Sequence, residues 1–135
     1  MALTKSIFIV EDDANISYIY KTALKKAGIT DVEIISSSGE AMEKIKEIQT
    51  GKKQKPALML LDLGLPDINS GLDILNAIRK NSVTKNITIF ILSNYTDELR
   101  EIFLNSKELK PDKFLLKTSI MPSKLVELVK KQIEK

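Results

Sequence analysis

The chain contains no cysteine and no histidine among its 135 residues, and it has no tryptophan. Disulfides, thiolate metal sites and a cysteine nucleophile are therefore excluded, and the lack of cysteine fits a reducing compartment. Without histidine, a Ser-His-Asp site, an imidazole metal ligand and a phosphorylated histidine on this chain are excluded as well. Any metal must be bound through oxygen, which favours a hard cation such as magnesium, manganese or calcium.

Aromatic residues are scarce at 5%, and charges of the two signs do not segregate. The net charge of +3 comes from 21 Lys and Arg against 18 Asp and Glu, which are interleaved along the chain. With few rings to stack on bases, this pattern is typical of a solvated surface, and direct nucleic-acid binding is not expected. No apolar run is long enough to span a bilayer, and the N-terminus turns acidic too early for a signal peptide. We therefore expect a cytoplasmic protein without membrane insertion.

Length and hydrophobic patterning predict one α/β domain over residues 1–135. Three continuous apolar runs, bounded by polar or turn-forming residues, are typical of strands buried on both faces, and two weaker runs are further candidates. The strong runs are Ile7–Val10, Ala57–Leu61 and Ile87–Leu92, and the weaker ones are Val32–Ile35 and Lys113–Leu116.

Between these runs, apolar residues recur at spacings of three and four, which predicts five amphipathic helices. The expected buried faces are Ile16, Ile19, Tyr20, Ala23, Leu24 and Ala27; Ala41, Met42, Ile45 and Ile48; Leu72, Leu75, Ala77 and Ile78; Leu99, Ile102 and Phe103; and Leu125, Leu128, Val129 and Ile133. Gly28 is placed to end the first helix, and Pro122 suits the first turn of the last. Five strand–helix repeats predict a doubly wound parallel sheet, whose ligand site lies at the carboxyl ends of its strands.

Polar side chains occur where such a site is expected. Glu11, Asp12 and Asp13 follow the first strand, Asp62 the third, Ser93 the fourth and Lys117 the fifth. Crowded carboxylates repel one another and a hard dication relieves that repulsion, so Glu11, Asp12 and Asp62 are candidate metal ligands. An aspartate such as Asp62 is also a nucleophile toward phosphorus, and Lys117 and Ser93 are placed to contact phosphoryl oxygens.

Each of these residues also has a plainer interpretation. Acidic runs after strands often cap the next helix, and Asp13 before Asn15 is expected to do so, which leaves the acidic trio alone equally compatible with a cap or a ligand. Taken singly, Asp62 and Ser93 are typical of turns, and Lys117 of a surface charge. Their joint placement favours the functional interpretation.

The same segments resemble the receiver domains of two-component response regulators, of the chemotaxis-regulator type. IFIVEDD, LLDLGLPD, ILSN and KFLLK are similar to that family's strand ends, and the likeness runs from Ile7 to about Ile133. The resemblance implies a flavodoxin-like (βα)5 fold with strand order 2-1-3-4-5 and helices on both faces of the sheet.

The resemblance also implies a role for each site residue. It makes Asp62 the phosphoacceptor, with Lys117 and Ser93 in contact with the phosphoryl group. The implied ligands of Mg²⁺ or Mn²⁺ are Glu11, Asp12, Asp62 and the backbone carbonyl of Gly64. Ser93 and Phe114 are implied to form a switch toward the surface of the fourth helix, fifth strand and fifth helix, although Phe114 fits a plain core aromatic equally well.

The implied function is a phosphorylation-dependent signalling switch, not an enzyme beyond its own phosphoryl transfer and dephosphorylation. Its implied partners are a sensor histidine kinase or a histidine phosphotransfer protein as donor, and a downstream effector protein or domain. One alternative is a receiver-like module that binds a partner without being phosphorylated. A phosphatase of the haloacid-dehalogenase type is disfavoured, because it requires a second aspartate where this chain has Gly64.

Overall fold

The fold is a five-stranded sheet with helices on both faces. The computed structural model describes residues 5–63, 68–94, 97–106 and 109–134. The strands are β1 Ile7–Val10, β2 Val32–Ile35, β3 Leu58–Asp62, β4 Thr88–Ser93 and β5 Lys113–Leu116. The helices are α1 Ala14–Lys26, α2 Ser38–Gln49, α3 Ile68–Arg79, α4 Asp97–Asn105 and α5 Pro122–Ile133. None of the helices within the described ranges combines the length and apolar character that a membrane crossing needs.

All neighbouring strands are parallel, in the order β2-β1-β3-β4-β5. This confirms the predicted fold class and strand order. Strand β1 lies between β2 and β3, so that Ile9 pairs with Ile34 on one side and Leu60 on the other. From β1 the chain adds β2 on one side and then β3, β4 and β5 on the other, so the strand order reverses between β1 and β3. In doubly wound sheets the ligand-binding crevice lies at this position.

Each central strand is buried on both faces because alternate side chains point to opposite sides of the sheet. Ile9 belongs to the apolar cluster beneath α1 and α5, together with Leu24 and Val129. Its neighbour Phe8 belongs to the cluster beneath α2, α3 and α4, together with Ile45. Two covered faces explain why the strand sequences are continuous apolar runs rather than alternating ones.

The helix ends follow the local signals in the sequence. The Asp13 side chain caps α1 by accepting hydrogen bonds from the backbone amides of Asn15 and Ile16, at 2.9 Å and 3.2 Å. Gly28 follows the end of α1 with a φ of 89°, a conformation that favours glycine. Pro122 lies in the first turn of α5, as predicted.

Strands β3 and β4 both lie one residue further along the chain than predicted. Asp62 pairs with Leu92 of β4, and Ser93 pairs with Leu116 of β5. The polar residues Asp62 and Ser93 are thus the last residues of their strands, not the first residues of loops. Their backbones are therefore held by the sheet itself.

Two apolar residues predicted to be buried are exposed: Ile19 by 49% and Met42 by 41%. At about 100° per residue, Met42 lies about 90° and Ile19 about 130° from the centre of the buried stripe of its helix. The buried stripes run through Ser17, Tyr20 and Leu24 on α1, and through Ala41, Ile45 and Ile48 on α2.

Candidate functional site

Three carboxylates meet at the carboxyl ends of β1 and β3. Glu11 follows β1, Asp62 ends the adjacent strand β3, and Asp12 comes next to Glu11 in the chain. One carboxylate oxygen from each of the three lies within 4.8 Å of the others. Glu11 and Asp62 are buried, with 2% and 3% of their surfaces exposed, whereas Asp12 is exposed. The cluster therefore has a buried base and an open side.

Lys117 joins this cluster from the far side of β4. Its Nζ lies 2.8 Å from Oε1 of Glu11 and 2.9 Å from Oδ2 of Asp62. Because β4 separates β5 from β3, the lysine side chain reaches past the end of β4 to make these contacts. A single ammonium group is thus shared by two buried carboxylates.

Backbone amide groups hold the cluster in place. The Glu11 amide donates to the carbonyl of Ile35 at 3.0 Å, which continues the pairing of β1 with β2 past the strand end. The Asp13 amide donates to Oε2 of Glu11 at 3.2 Å. On the other side, the Lys117 amide donates to the carbonyl of Ser93 at 3.1 Å. The positions of Glu11 and Lys117 are therefore set by their strands.

Burial and like charge change the acid–base properties of the cluster. Burial raises the pKa of Glu11 to about 7; the Lys117 ammonium opposes this shift, and the Asp62 carboxylate adds to it. Burial lowers the pKa of Lys117, but its bonds to Asp62 and Glu11 outweigh that effect and raise it above the ordinary value. Lys117 therefore remains charged near neutral pH.

The donor set fits a hard divalent cation. Magnesium binds oxygen, and it commonly uses one or two protein carboxylates while keeping several waters. The exposed Asp12 leaves the cluster accessible to a hydrated ion, and Glu11 and Asp62 supply further oxygens. Ionised, three carboxylates and one ammonium carry a net charge of about −2, which a dication would compensate. The cluster could therefore hold a metal ion.

The two predicted switch residues lie on the strands next to this cluster. Ser93 is buried at the end of β4, with 7% of its surface exposed. Phe114 lies on β5, half-buried, and packs against the apolar cluster beneath α4. Its ring meets that of Phe103 on α4 edge to face, with centroids 5.8 Å apart and planes 70° apart. Phe114 is thus a core aromatic in contact with α4.

Comparison with known proteins identifies the family. The family model for the response regulator receiver domain matches residues 7–130. The chain belongs to the response regulator receiver domain family. Membership implies phosphorylation-dependent signalling. In the structure, the acidic cluster of this receiver domain lies at the carboxyl ends of the strands, where the sequence predicted a site.

Individual relatives of this receiver domain are more distant. The luminescence regulatory protein LuxO of Vibrio campbellii is 36% identical over 73 residues, which is 54% of this chain and 14% of LuxO. The solved structure of the phosphorylated cyanobacterial phytochrome response regulator RcpA is 28% identical, with a TM-score of 0.74 over 96% of this chain and 91% of that one. The Mn²⁺-bound response regulator Rcp1 is also 28% identical, with a TM-score of 0.73 over 94% and 92% of the two chains. The receiver domain therefore spans only a small part of LuxO.

The structure brings together most of the residues singled out in the sequence. Glu11, Asp12, Asp62 and Lys117 form one cluster, and Ser93 joins it through the backbone of Lys117. Gly64, predicted to offer a backbone carbonyl to the metal, lies outside the described residues.

Two residues near the cluster were not identified from the sequence. Ser17 is buried on α1, and its hydroxyl donates to the carbonyl of Glu11 at 3.5 Å. Tyr20 was assigned only to the core; burial raises its pKa, and the charges of Lys117, Glu11 and Asp62 also act on it. A serine or tyrosine at helical spacing within an apolar stripe gives no sequence signal of a neighbouring charged site.

The raised pKa of Glu11 predicts a specific dependence of stability on pH. Between about pH 4.5 and 7 the folded protein binds a proton at Glu11 that the unfolded chain has already lost. The contribution of Glu11 to the free energy of unfolding should therefore be largest below pH 4.5 and decline as the pH rises to about 7. Replacing Glu11 with Gln removes this titration.

Urea unfolding with a chelator present, at pH 4, 5.5 and 7.5, measures this effect. The stability of the wild type minus that of Glu11→Gln should decrease with pH. The matched control, Glu43→Gln, replaces an exposed carboxylate on α2 and should show no such trend. A difference for Glu11→Gln that stayed constant or increased with pH would contradict the assignment.

Proposed function

We propose that this receiver domain, acting as one unit over residues 1–135, is a phosphorylation-dependent signalling switch whose phosphoacceptor is Asp62. The observation that carries the proposal is the shared ion pair of Lys117 with Glu11 and Asp62, at 2.8 Å and 2.9 Å, beside three clustered carboxylates. Phosphoryl transfer asks a protein mainly for positioning and charge neutralisation, and this arrangement supplies both.

The transfer step forms an acyl phosphate on Asp62. A carboxylate oxygen of Asp62 attacks the phosphorus of a phosphohistidine, and the bond between phosphorus and the imidazole nitrogen breaks. That nitrogen keeps the electron pair and takes up a proton from solvent. Because these 135 residues include no histidine, the donor histidine lies outside them, and we propose that it belongs to a sensor histidine kinase or a histidine phosphotransfer protein.

The negative charge of the phosphoryl group on Asp62 would be compensated by a bound cation and by the Lys117 ammonium. Glu11, Asp12, Asp62 and the backbone carbonyl of Gly64 would hold Mg²⁺ or Mn²⁺, which when bound neutralises phosphoryl oxygens. Lys117 already contacts Asp62, and its flexible stem lets the ammonium follow the negative charge from the carboxylate to a phosphoryl oxygen. Phosphorylation of the similar protein RcpA and Mn²⁺ binding by the similar protein Rcp1 support a phosphorylated, metal-binding role for this domain, and the assignment to these residues is our proposal.

The switch connects the phosphoryl group to an effector surface. In the proposal, the Ser93 hydroxyl donates to a phosphoryl oxygen, and the movement of Ser93 makes room for Phe114 to turn. The contact of Phe114 with Phe103 on α4 supports this route, because a rotation of the ring must change the packing of that helix. A downstream effector protein or domain then binds the altered surface of α4, β5 and α5 through a population shift.

Replacing Asp62 with Asn should abolish labelling of the protein by ³²P-acetyl phosphate in the presence of Mg²⁺. The amide is not a nucleophile toward phosphorus, so no acyl phosphate forms. Wild-type label should be lost on treatment with hydroxylamine, which cleaves acyl phosphates, and should not appear when a chelator replaces Mg²⁺. The control, Asp31→Asn, changes an exposed aspartate at the opposite end of the sheet and should label normally. Full labelling of Asp62→Asn would remove Asp62 from this role.

Replacing Lys117 with Ala should separate metal binding from switching. Mg²⁺ affinity, measured by calorimetric titration, should stay within a few-fold of wild type or increase, because the competing ammonium is gone. The change in Phe114 ring resonances on addition of acetyl phosphate and Mg²⁺ should be lost. Lys113→Ala, which removes an exposed lysine of the same strand, is the control for both measurements. A normal ring response in Lys117→Ala would show that the lysine is dispensable.

A further inference from the structure

Gly71 on α3 lies against the backbone that follows Asp62. A Cβ atom built on Gly71 would lie 2.8 Å from Cα of Leu63, 2.8 Å from its Cδ2 and 3.3 Å from the carbonyl oxygen of Asp62. Nonbonded carbon atoms are most favourable at about 3.5–4.0 Å, so a methyl group does not fit here without displacement. The absence of a side chain thus allows α3 to contact the peptide next to Asp62.

The other glycines that the structure describes are different. Gly28 and Gly51 have φ angles of 89° and 82° and follow helix ends. Gly39 lies in α2, and its Cβ position has no atom within 4 Å. Among the described glycines, Gly71 is therefore the one whose missing side chain is explained by close contact with backbone.

Both sides of the contact are anchored, one by strand pairing and the other by burial. Asp62 is paired with Leu92, which holds the end of β3 in the sheet. On the other side, Ile74 and Leu75 anchor α3 in the core with none of their surface exposed. A methyl group at Gly71 must therefore displace Leu63 or the part of α3 that lies against it.

We infer that Gly71 is a positioning residue for the proposed metal and phosphoacceptor site. By letting α3 pack directly on the Asp62–Leu63 peptide, it sets the position of the Asp62 carboxylate relative to Glu11. The inference rests on the proposed function, whereas a purely structural role for Gly71 would lower stability without a selective effect on metal binding.

The test compares Gly71→Ala with Gly39→Ala, the same substitution in a helix with open space at the Cβ position. Mg²⁺ affinity is measured by calorimetry at a temperature where circular dichroism shows each variant folded. Gly71→Ala should bind Mg²⁺ about 10- to 100-fold more weakly, the usual loss when a group that supports metal ligands is disturbed. Gly39→Ala should bind as the wild type does. Equal affinity in folded Gly71→Ala would overturn the inference.

A second pair of variants distinguishes the backbone contact from the side-chain contact. In a Leu63→Ala background the contact with Cδ2 is gone, but the contact with Cα of Leu63 remains. Adding Gly71→Ala to Leu63→Ala should therefore still weaken Mg²⁺ binding by a similar factor. If the loss disappeared in that background, Gly71 would only make room for the leucine side chain, and the backbone role would be wrong.

If Gly71→Ala does not fold, an NMR measurement on the wild type tests the inference instead. Saturation with Mg²⁺ should shift the amide resonances of Leu63 and Gly71 and leave that of Gly39 in place. If Mg²⁺ binds but the amide resonance of Gly71 does not shift, the inference about Gly71 is wrong, whereas the proposed function is unaffected. A wild type that binds no Mg²⁺ would instead overturn the proposed function on which it rests.

Discussion

The ammonium of Lys117 lies between the buried carboxylates of Glu11 and Asp62, and the rest of the site depends on this contact. Two carboxylates this close to each other repel, and burial strengthens the repulsion because water no longer screens it. Removing one partner of a buried ion pair typically costs roughly 3–5 kcal/mol. The lysine thus keeps two acidic groups close together in the position where a cation and a phosphoryl group would bind.

The topology of the sheet makes this contact possible. Strands β1 and β3 are adjacent, so Glu11 and Asp62 come together once both strands are paired. Lys117 follows β5, two strands away from β3, and only a long side chain reaches that far across the end of β4. The flexible stem of lysine suits a charge that has to change partners, whereas a rigid bidentate guanidinium would favour a single arrangement.

Much of the fold was predictable because its signals are local. Continuous apolar runs such as Ile7–Val10 predict strands covered on both faces, and Asp13 gave the start of α1. The last residues of β3 and β4 were not predictable, since the pairing of Asp62 with Leu92 is a contact between distant parts of the chain. The exposure of Ile19 likewise depends on how far α1 is rotated against the sheet, which spacing alone does not define.

The clustering of acidic residues could be anticipated from a general property of parallel sheets, since strand ends of one direction meet at one edge. The contact of Lys117 with both carboxylates could not be anticipated from the sequence, because it depends on the conformation of a long side chain. The same holds for Gly71, whose importance arises from the approach of α3 to Leu63 within the folded chain. Residues that act through close packing leave no distinctive pattern in a single sequence.

A crystal structure of the protein grown with Mg²⁺ and beryllofluoride, a mimic of the phosphoryl group, would show whether the cation, the mimic and the Lys117 ammonium meet at Asp62. We expect the fluoroberyllate on Asp62, the cation bound by oxygens of Glu11, Asp12 and Asp62, and the Lys117 ammonium moved from the carboxylates to a fluorine atom. A cation bound elsewhere, a mimic attached to another residue, or Lys117 turned away from the mimic would contradict the account.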